Sequence, residues 1–463
     1  MHSVVDPAAA PAPGDGHAMS RRAHVRAVLA LGLPLVGSHL AQVSITLTDA
    51  LMLGWYDVTA LAGEVLGGSM FFVFLICGSG FAFAVMPMVA QAAGRNDIAQ
   101  IRRVTRMGLW VSAIFAAFAV PVLLNAGTVL SALGQDPAVA DMAGRYLGIY
   151  GWGLVPALGV MVLKSYLAAL ERTRVVLIVT LAAVGVNALV NYALIFGHWG
   201  APELGIEGSA IASLTVNLLS LILLAGHAAW ALPEHTLFAR FWRPDWEAFG
   251  QVFRLGWPIG LTNLAETGLF AAASLMMGWL GPIPLAAHGI AMQISSLTFM
   301  VHVGLSNAAT VRAGNAFGRG DGAHLRRGAL VALALSGAAV AVTVALFLGL
   351  PEVLIGLFLS PDDPVRDEVL AIGVVLLAAS ALFQLADAAQ VMALGLLRGM
   401  NDTRGPMLIA VVSYWGLGVP VSYLLGFPGG LGGVGVWLGL ALGLGVAGIC
   451  LVARFWLRAT PTV

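Results

Sequence analysis

Three acidic residues in this sequence fall where an acid is expensive. Asp49, Glu266 and Asp387 lie well inside long apolar runs, not in the polar segments between them. An acid in a hydrocarbon interior costs about 2.5–3.5 kcal/mol on insertion scales. A carboxyl kept there at that cost is suited to bind something positive: a proton, a Na⁺ ion or a cationic substrate. Helix rise, about 1.5 Å per residue, sets the depths. Glu266 is twelve residues from Arg254, and Asp387 is eleven from Arg398. Both are therefore roughly 16–18 Å from one face and can share a level. Asp49 is 23 residues beyond Arg26, roughly 34 Å in and nearer the opposite face.

Polar partners recur at helical spacing. Asn187 and Asn191 are four apart, as are Ser209 and Ser213, so each pair shares a helix face. Together with Asp49 they could offer oxygen ligands to Na⁺ or hold a carboxyl that takes up a proton. The plainer alternative is that they join helices by hydrogen bonds. His288 and His302 in one run read more readily as packing residues than as proton carriers. Lys164, two turns before a loop, has a stem long enough to carry its ammonium to the near surface.

The elements that position these groups follow from composition. Of 463 residues 59% are apolar and 10% are charged, against about 25% charged in an ordinary soluble protein. Such a chain cannot clothe a soluble fold and belongs in a membrane. Twelve apolar stretches are long enough to span, given that about 20 residues suffice. They lie near 26–54, 60–91, 105–127, 138–170, 174–197, 206–232, 248–280, 284–315, 328–350, 366–398, 404–426 and 433–457. Alternate loops divide by charge. One face collects 20 of the 23 basic residues, and the other carries ten acids, from Asp57 to Asp362, Asp363 and Glu368, with Arg145 and Arg366. The positive-inside rule makes the basic face cytoplasmic, with both termini there. Only one basic residue is lysine, and 57 residues are glycine. That bias suits a GC-rich bacterial genome, hence a multi-pass protein of the bacterial cytoplasmic (inner) membrane.

An internal repeat organises the spans. At an offset of 224, Leu31-Gly32-Leu33-Pro34 matches Leu255-Gly256-Trp257-Pro258, and Gly94-Arg95-Asn96-Asp97 matches Gly318-Arg319-Gly320-Asp321. Arg102-Arg103 aligns with Arg326-Arg327, and Thr173-Arg174 with Thr403-Arg404 at an offset of 230. The fold class is therefore an all-α membrane protein of two six-helix lobes. An even number of helices gives both copies one orientation, as in parallel-repeat carriers. The expected division is a disordered tail over 1–24, an N-lobe over 25–232, a linker over 233–247, a C-lobe over 248–458 and a short tail over 459–463. The acids break the repeat, since Gln42 occupies the position equivalent to Glu266, and Ala273 that of Asp49. Pro34 and Pro258 occupy equivalent positions inside spans, where kinks are expected.

Several function classes are excluded. There is no nucleotide-binding loop, no nucleophile–base constellation and no metal spacing, and the two cysteines, Cys77 and Cys450, are isolated. No enzyme activity, resident cofactor or nucleic-acid partner is expected, and the chain is expected to act as a monomer.

The sequence resembles the MATE (multidrug and toxic compound extrusion) family, in its bacterial NorM-like branch. The residues that carry the resemblance are Leu285-Ala286-Ala287-His288, Phe383-Gln384-Leu385-Ala386-Asp387 with Gln390, Leu397-Arg398-Gly399, Asp402-Thr403-Arg404 with Pro406, and Thr48-Asp49-Ala50. It covers about residues 25–458. The resemblance implies a V-shaped fold and export of cationic or amphipathic compounds by Na⁺ or H⁺ antiport. Glu266 and Asp387 would form the C-lobe cation site; Asp49, Asn187 and Asn191, with Ser213 beside them, would form that of the N-lobe. Gln42, His288, Phe383 and Gln384 would line the substrate cavity. The family often has a tyrosine one turn before the aspartate of the tenth helix, and Phe383 lacks that hydroxyl. Proton coupling in this lobe gains by the loss. The competing function is a flippase for a lipid-linked precursor, which should need cavity cations to hold a pyrophosphate; Lys164 is the lone candidate.

Overall fold

A computed structural model describes residues 19–360 and 364–459. Among the described residues, twelve helices are long and apolar enough to span a membrane. We number them α1 (Arg21–Tyr56), α2 (Val58–Gly94), α3 (Ile98–Leu124), α4 (Pro137–Ala169), α5 (Thr173–Phe196) and α6 (Ile206–Ala231). The second half has α7 (Trp246–Leu280), α8 (Pro282–Gly318), α9 (Gly322–Gly349), α10 (Arg366–Gly399), α11 (Arg404–Gly426) and α12 (Gly432–Ala459). No strand occurs among the described residues. In hydrocarbon every backbone polar group needs a partner in the protein, and a helix supplies one within its own segment.

Aspartates open many of these helices. Asp57 accepts from the Ala60 amide at 2.7 Å, Asp97 from Gln100 at 2.9 Å, and Asp321 from His324 at 2.8 Å. These caps correct two expected boundaries. α3 and α9 begin at residues 98 and 322, not 105 and 328, because a capped helix can run through a charged first turn. Arg102, Arg103 and Arg106 are thus on α3 and not in a loop. Most of the expected tail over 1–24 lies outside the described residues. Its last four, from Arg21, are already helical, capped by the Ser20 hydroxyl. Of the tail over 459–463, Ala459 closes α12 and the rest is outside the described residues, as are Asp362 and Asp363. Pro34 and Pro258 sit within unbroken helices. A 3₁₀ turn at Gly151–Gly153 interrupts α4, and a π-helical stretch, Val412–Gly418, widens α11.

The repeat offset is written into the seam between the lobes. A Cβ on Gly80 of α2 would strike the backbone of Gly260 on α7, and one on Gly304 of α8 would strike Val36 of α1. Adding 224 to 80 and 36 gives 304 and 260, so these are one contact made twice. Gly94 against Asn315 and Gly318 against Gln91 form a second such pair. Contacts that repeat in this reciprocal way mark a pseudo-two-fold axis between the lobes. Glycines there let the backbones approach closely.

Cross-lobe hydrogen bonds join the arginine-rich halves. Gln91 Nε2 donates to the Gly399 carbonyl at 2.8 Å, and Asn401 Nδ2 to Gln91 Oε1 at 2.9 Å. Deepest are Asn307 with His39 at 3.1 Å and Asn263 with Ser79 at 3.5 Å. Among the described residues none lies farther toward the acidic face.

Candidate functional site

The N-lobe cluster is built on α1. Asp49 is 4% exposed and takes three hydrogen bonds from two other helices. From α5, Asn187 Nδ2 donates to Asp49 Oδ1 at 2.9 Å, and Asn191 Nδ2 donates to the same oxygen at 2.5 Å. From α6, Ser213 Oγ donates to Oδ2 at 3.0 Å. The i, i+4 spacing of the asparagines aims both amides at one atom. Ser209, also considered from the sequence, is buried and makes no side-chain hydrogen bond among the described residues.

Sequence reasoning missed the second carboxyl here. Glu64 of α2 is 7% exposed and within charge–charge range of Asp49. Tyr146 and Tyr150 of α4 lie within range of both acids. Tyr150 also accepts from Asn217 Nδ2 at 3.3 Å. Glu64 follows the outer loop by only a few residues, where an acid at the edge of an apolar run stands out little. Its signal is the flanking Gly63 and Gly67, where added Cβ atoms would press on Met142 and Tyr146 of α4.

The C-lobe cluster brings Glu266 of α7 and Asp387 of α10 into charge–charge range of each other. Gln390, one turn on from Asp387, is within hydrogen-bonding reach of Glu266 and donates to the Tyr414 hydroxyl at 2.6 Å. Asp387 is 2% exposed. Its Oδ1 and the Gln390 Oε1 are buried with no hydrogen-bond partner among the described residues. Tyr414, on the π-helical stretch of α11, brings to this cluster the hydroxyl that Phe383 lacks. Arg398 lies near Glu266 and donates to Asn263 Oδ1 at 3.1 Å. Neither Tyr414 nor Arg398 was expected here, because both arrive from beyond the motif that holds the aspartate.

Three expected cavity residues are placed elsewhere. Phe383 is buried edge-on between Phe270 and Trp437. Gln384 donates to the Ser295 carbonyl at 3.0 Å and the Thr298 hydroxyl at 2.6 Å. His288 meets Ser274 Oγ at 3.2 Å and the edge of Trp437. Packing inside the C-lobe occupies all three, so they do not form an open wall. His302 is likewise a packing residue, bonded to Ser336 at 2.9 Å. Gln42 is exposed. Lys164 does not run to the surface: its Nζ turns to Gln42 Oε1 at 3.4 Å.

No group of three or more His, Cys, Asp or Glu residues suited to a metal ion occurs among the described residues. The arrangement is instead two separate carboxyl clusters, one per lobe, with oxygen and hydroxyl groups around them.

Two copies of a six-helix unit, related by an axis through their seam and each burying acids, define a two-lobe membrane protein of the parallel-repeat class. The chain belongs to the MatE family, whose model matches residues 34–193 and 258–424, one segment in each lobe. A protein of Rhizobium meliloti named "Probable multidrug resistance protein NorM" is 47% identical over 435 residues, 94% of this chain and 93% of the relative. One of the same name from Agrobacterium fabrum is 44% identical over 434 residues, 93% of each chain. Solved structures agree in fold. A MOP superfamily transporter from Pyrococcus furiosus matches with a TM-score of 0.85 at 18% identity, covering 94% of this chain and 96% of that one. A eukaryotic MATE transporter matches with a TM-score of 0.83 at 20% identity, with the same coverage.

Proposed function

We propose that this protein is a secondary active exporter of cationic or amphipathic organic compounds, driven by Na⁺ or H⁺ entry and working by alternating access. It is a carrier and not an enzyme, set in a bacterial inner membrane with its arginine-rich face and both termini in the cytoplasm. The observation that supports this most is a buried acid cluster in each lobe. Among the described residues no ion pair neutralises Asp49, Glu64 or Asp387. The names of the 47% and 44% identical relatives agree with it.

The chemistry of each cluster suits a small cation. At Asp49, two amides engage one oxygen and a hydroxyl the other. A proton arriving on Oδ2 needs only a turn of the Ser213 hydroxyl, which then accepts where it donated. A Na⁺ ion would draw on the carboxyl and on Asn191 Oδ1, which has no hydrogen-bond partner among the described residues. At Asp387, the unpartnered Oδ1 and Gln390 Oε1 supply two oxygens beside Glu266. We read the present arrangement, held together on the arginine-rich halves, as the state open to the outside.

The test is drug susceptibility of a pump-deficient host expressing the wild type, Asp49→Asn or Asp387→Asn, with and without Na⁺. Both variants should reach the membrane in normal amount and lose resistance. Full resistance in Asp387→Asn would remove the coupling role of that residue.

A further inference from the structure

On the arginine-rich face, a cavity of about 570 Å³ opens at the seam of the lobes. It is about 18 Å along α10 from Asp387 and belongs to neither acid cluster. Its wall holds four guanidiniums, Arg254, Arg404, Arg454 and Arg458, and one carboxylate, Asp402. That carboxylate is already committed: Arg454 Nε reaches it at 2.7 Å and Arg458 Nε at 3.2 Å. The Arg454 guanidinium lies flat on Gly405, where a Cβ would collide with it. Arg254 and Arg404 have no ion-pair or hydrogen-bond partner among the described residues. The cavity therefore has a surplus of positive charge.

The level of this cavity in the membrane says what brings the balancing charge. Arg254 lies roughly 12 Å along α7 from its start, Arg404 opens α11, and Arg454 and Arg458 close α12. All four stand where spanning helices meet the surface, at the height of lipid headgroups. Met88 and Leu255 add an apolar patch to the same wall. Guanidiniums bind phosphate through paired N–H groups, and basic pockets between spanning helices suit anionic headgroups. A soluble phosphate would find the charge but has no use for the apolar side.

We propose that this cavity binds the phosphate of an anionic phospholipid headgroup. Met88 comes from α2 of the N-lobe, whereas the arginines come from the C-lobe. Beside it, Gln91 bridges the lobes through Gly399 and Asn401. A lipid seated there braces the seam and favours the present arrangement over one in which these halves part.

Native mass spectrometry of the delipidated full chain, titrated with phosphatidylglycerol or phosphatidylcholine, tests this. The wild type should take up phosphatidylglycerol preferentially. The double variant Arg254→Gln/Arg404→Gln leaves the Asp402 ion pairs in place. It should bind phosphatidylglycerol about 25-fold more weakly, at roughly fivefold per arginine removed, with phosphatidylcholine binding unchanged. Arg254→Lys/Arg404→Lys should recover most of the preference, which a folding defect would not allow. Equal phosphatidylglycerol binding by wild type and the Gln variant would overturn the site. Displacement of the lipid by equimolar inorganic phosphate would overturn its assignment to lipid.

Discussion

Asp49 shows how much one residue can be made to carry. Its Oδ1 has two amide donors and its Oδ2 one hydroxyl, Ser213. Removing that hydroxyl strands a buried carboxyl oxygen. Ser213→Ala should therefore lower stability by about 1–3 kcal/mol, measured as Tm in detergent. Most of that loss should vanish in an Asp49→Leu background, which leaves no buried carboxyl oxygen to strand. Additive losses would mean that Ser213 stabilises the fold through a partner other than Asp49. The sequence carried this cluster well, since an acid inside an apolar run and asparagines four apart are local signals. Glu64, Tyr146 and Tyr414 were not legible. A tyrosine in a membrane span is unremarkable alone, and only tertiary packing brings it to an acid.

Among the elements, the junction before α7 ties the lobes by one side chain used twice. Asp245 caps α7 by accepting from the Ala248 amide at 3.1 Å, and Arg103 of α3 donates to it at 2.5 Å. Hydrogen bonds from Arg103 hold the Asp245 carboxyl below its ordinary range. The stability this contributes is present above about pH 4, the ordinary value for an aspartate, and is lost as pH falls through the depressed one. Asp245→Asn should keep the cap and abolish the pH-dependent part. Asp245→Ala should lose the cap too, costing about 1 kcal/mol more. Melting temperatures from pH 3 to 7 separate the two; identical curves for wild type and Asp245→Asn would deny the ion pair any role. Span positions were legible because apolar runs are long and punctuated. The starts of α3 and α9 were not, because Asp97 and Asp321 extend a helix into charged sequence that hydropathy alone assigns to loops.

Across the whole molecule, the same offset that appears in the sequence governs how the lobes meet. Gly80 against Gly260 and Gly304 against Val36 are the equivalent close approaches. Gly80→Leu should wedge the seam open on the arginine-rich side, read as a longer distance between spin labels across the lobes there. An unchanged distance would show that the backbones can yield locally.

What crosses that seam decides the mechanism. A substrate drives transport only if it binds the two arrangements unequally or competes with the coupling ion. The acids are buried and few, and at Asp49, Glu64 and Asp387 no ion pair supplies a counter-charge among the described residues. Lys164 is engaged with Gln42 at 3.4 Å, outside both acid clusters. A cationic drug and the coupling cation should therefore contend for the same negative charge. Entry of the cation from the outside would then release the drug outward and permit return of the lobes. Drug added to purified protein should displace bound cation, and labelled drug should bind more weakly as Na⁺ rises or pH falls. Efflux from vesicles should quicken when an inward cation gradient is imposed. Drug affinity indifferent to both Na⁺ and pH would sink competition, leaving the coupling to pass through the lobe rearrangement alone.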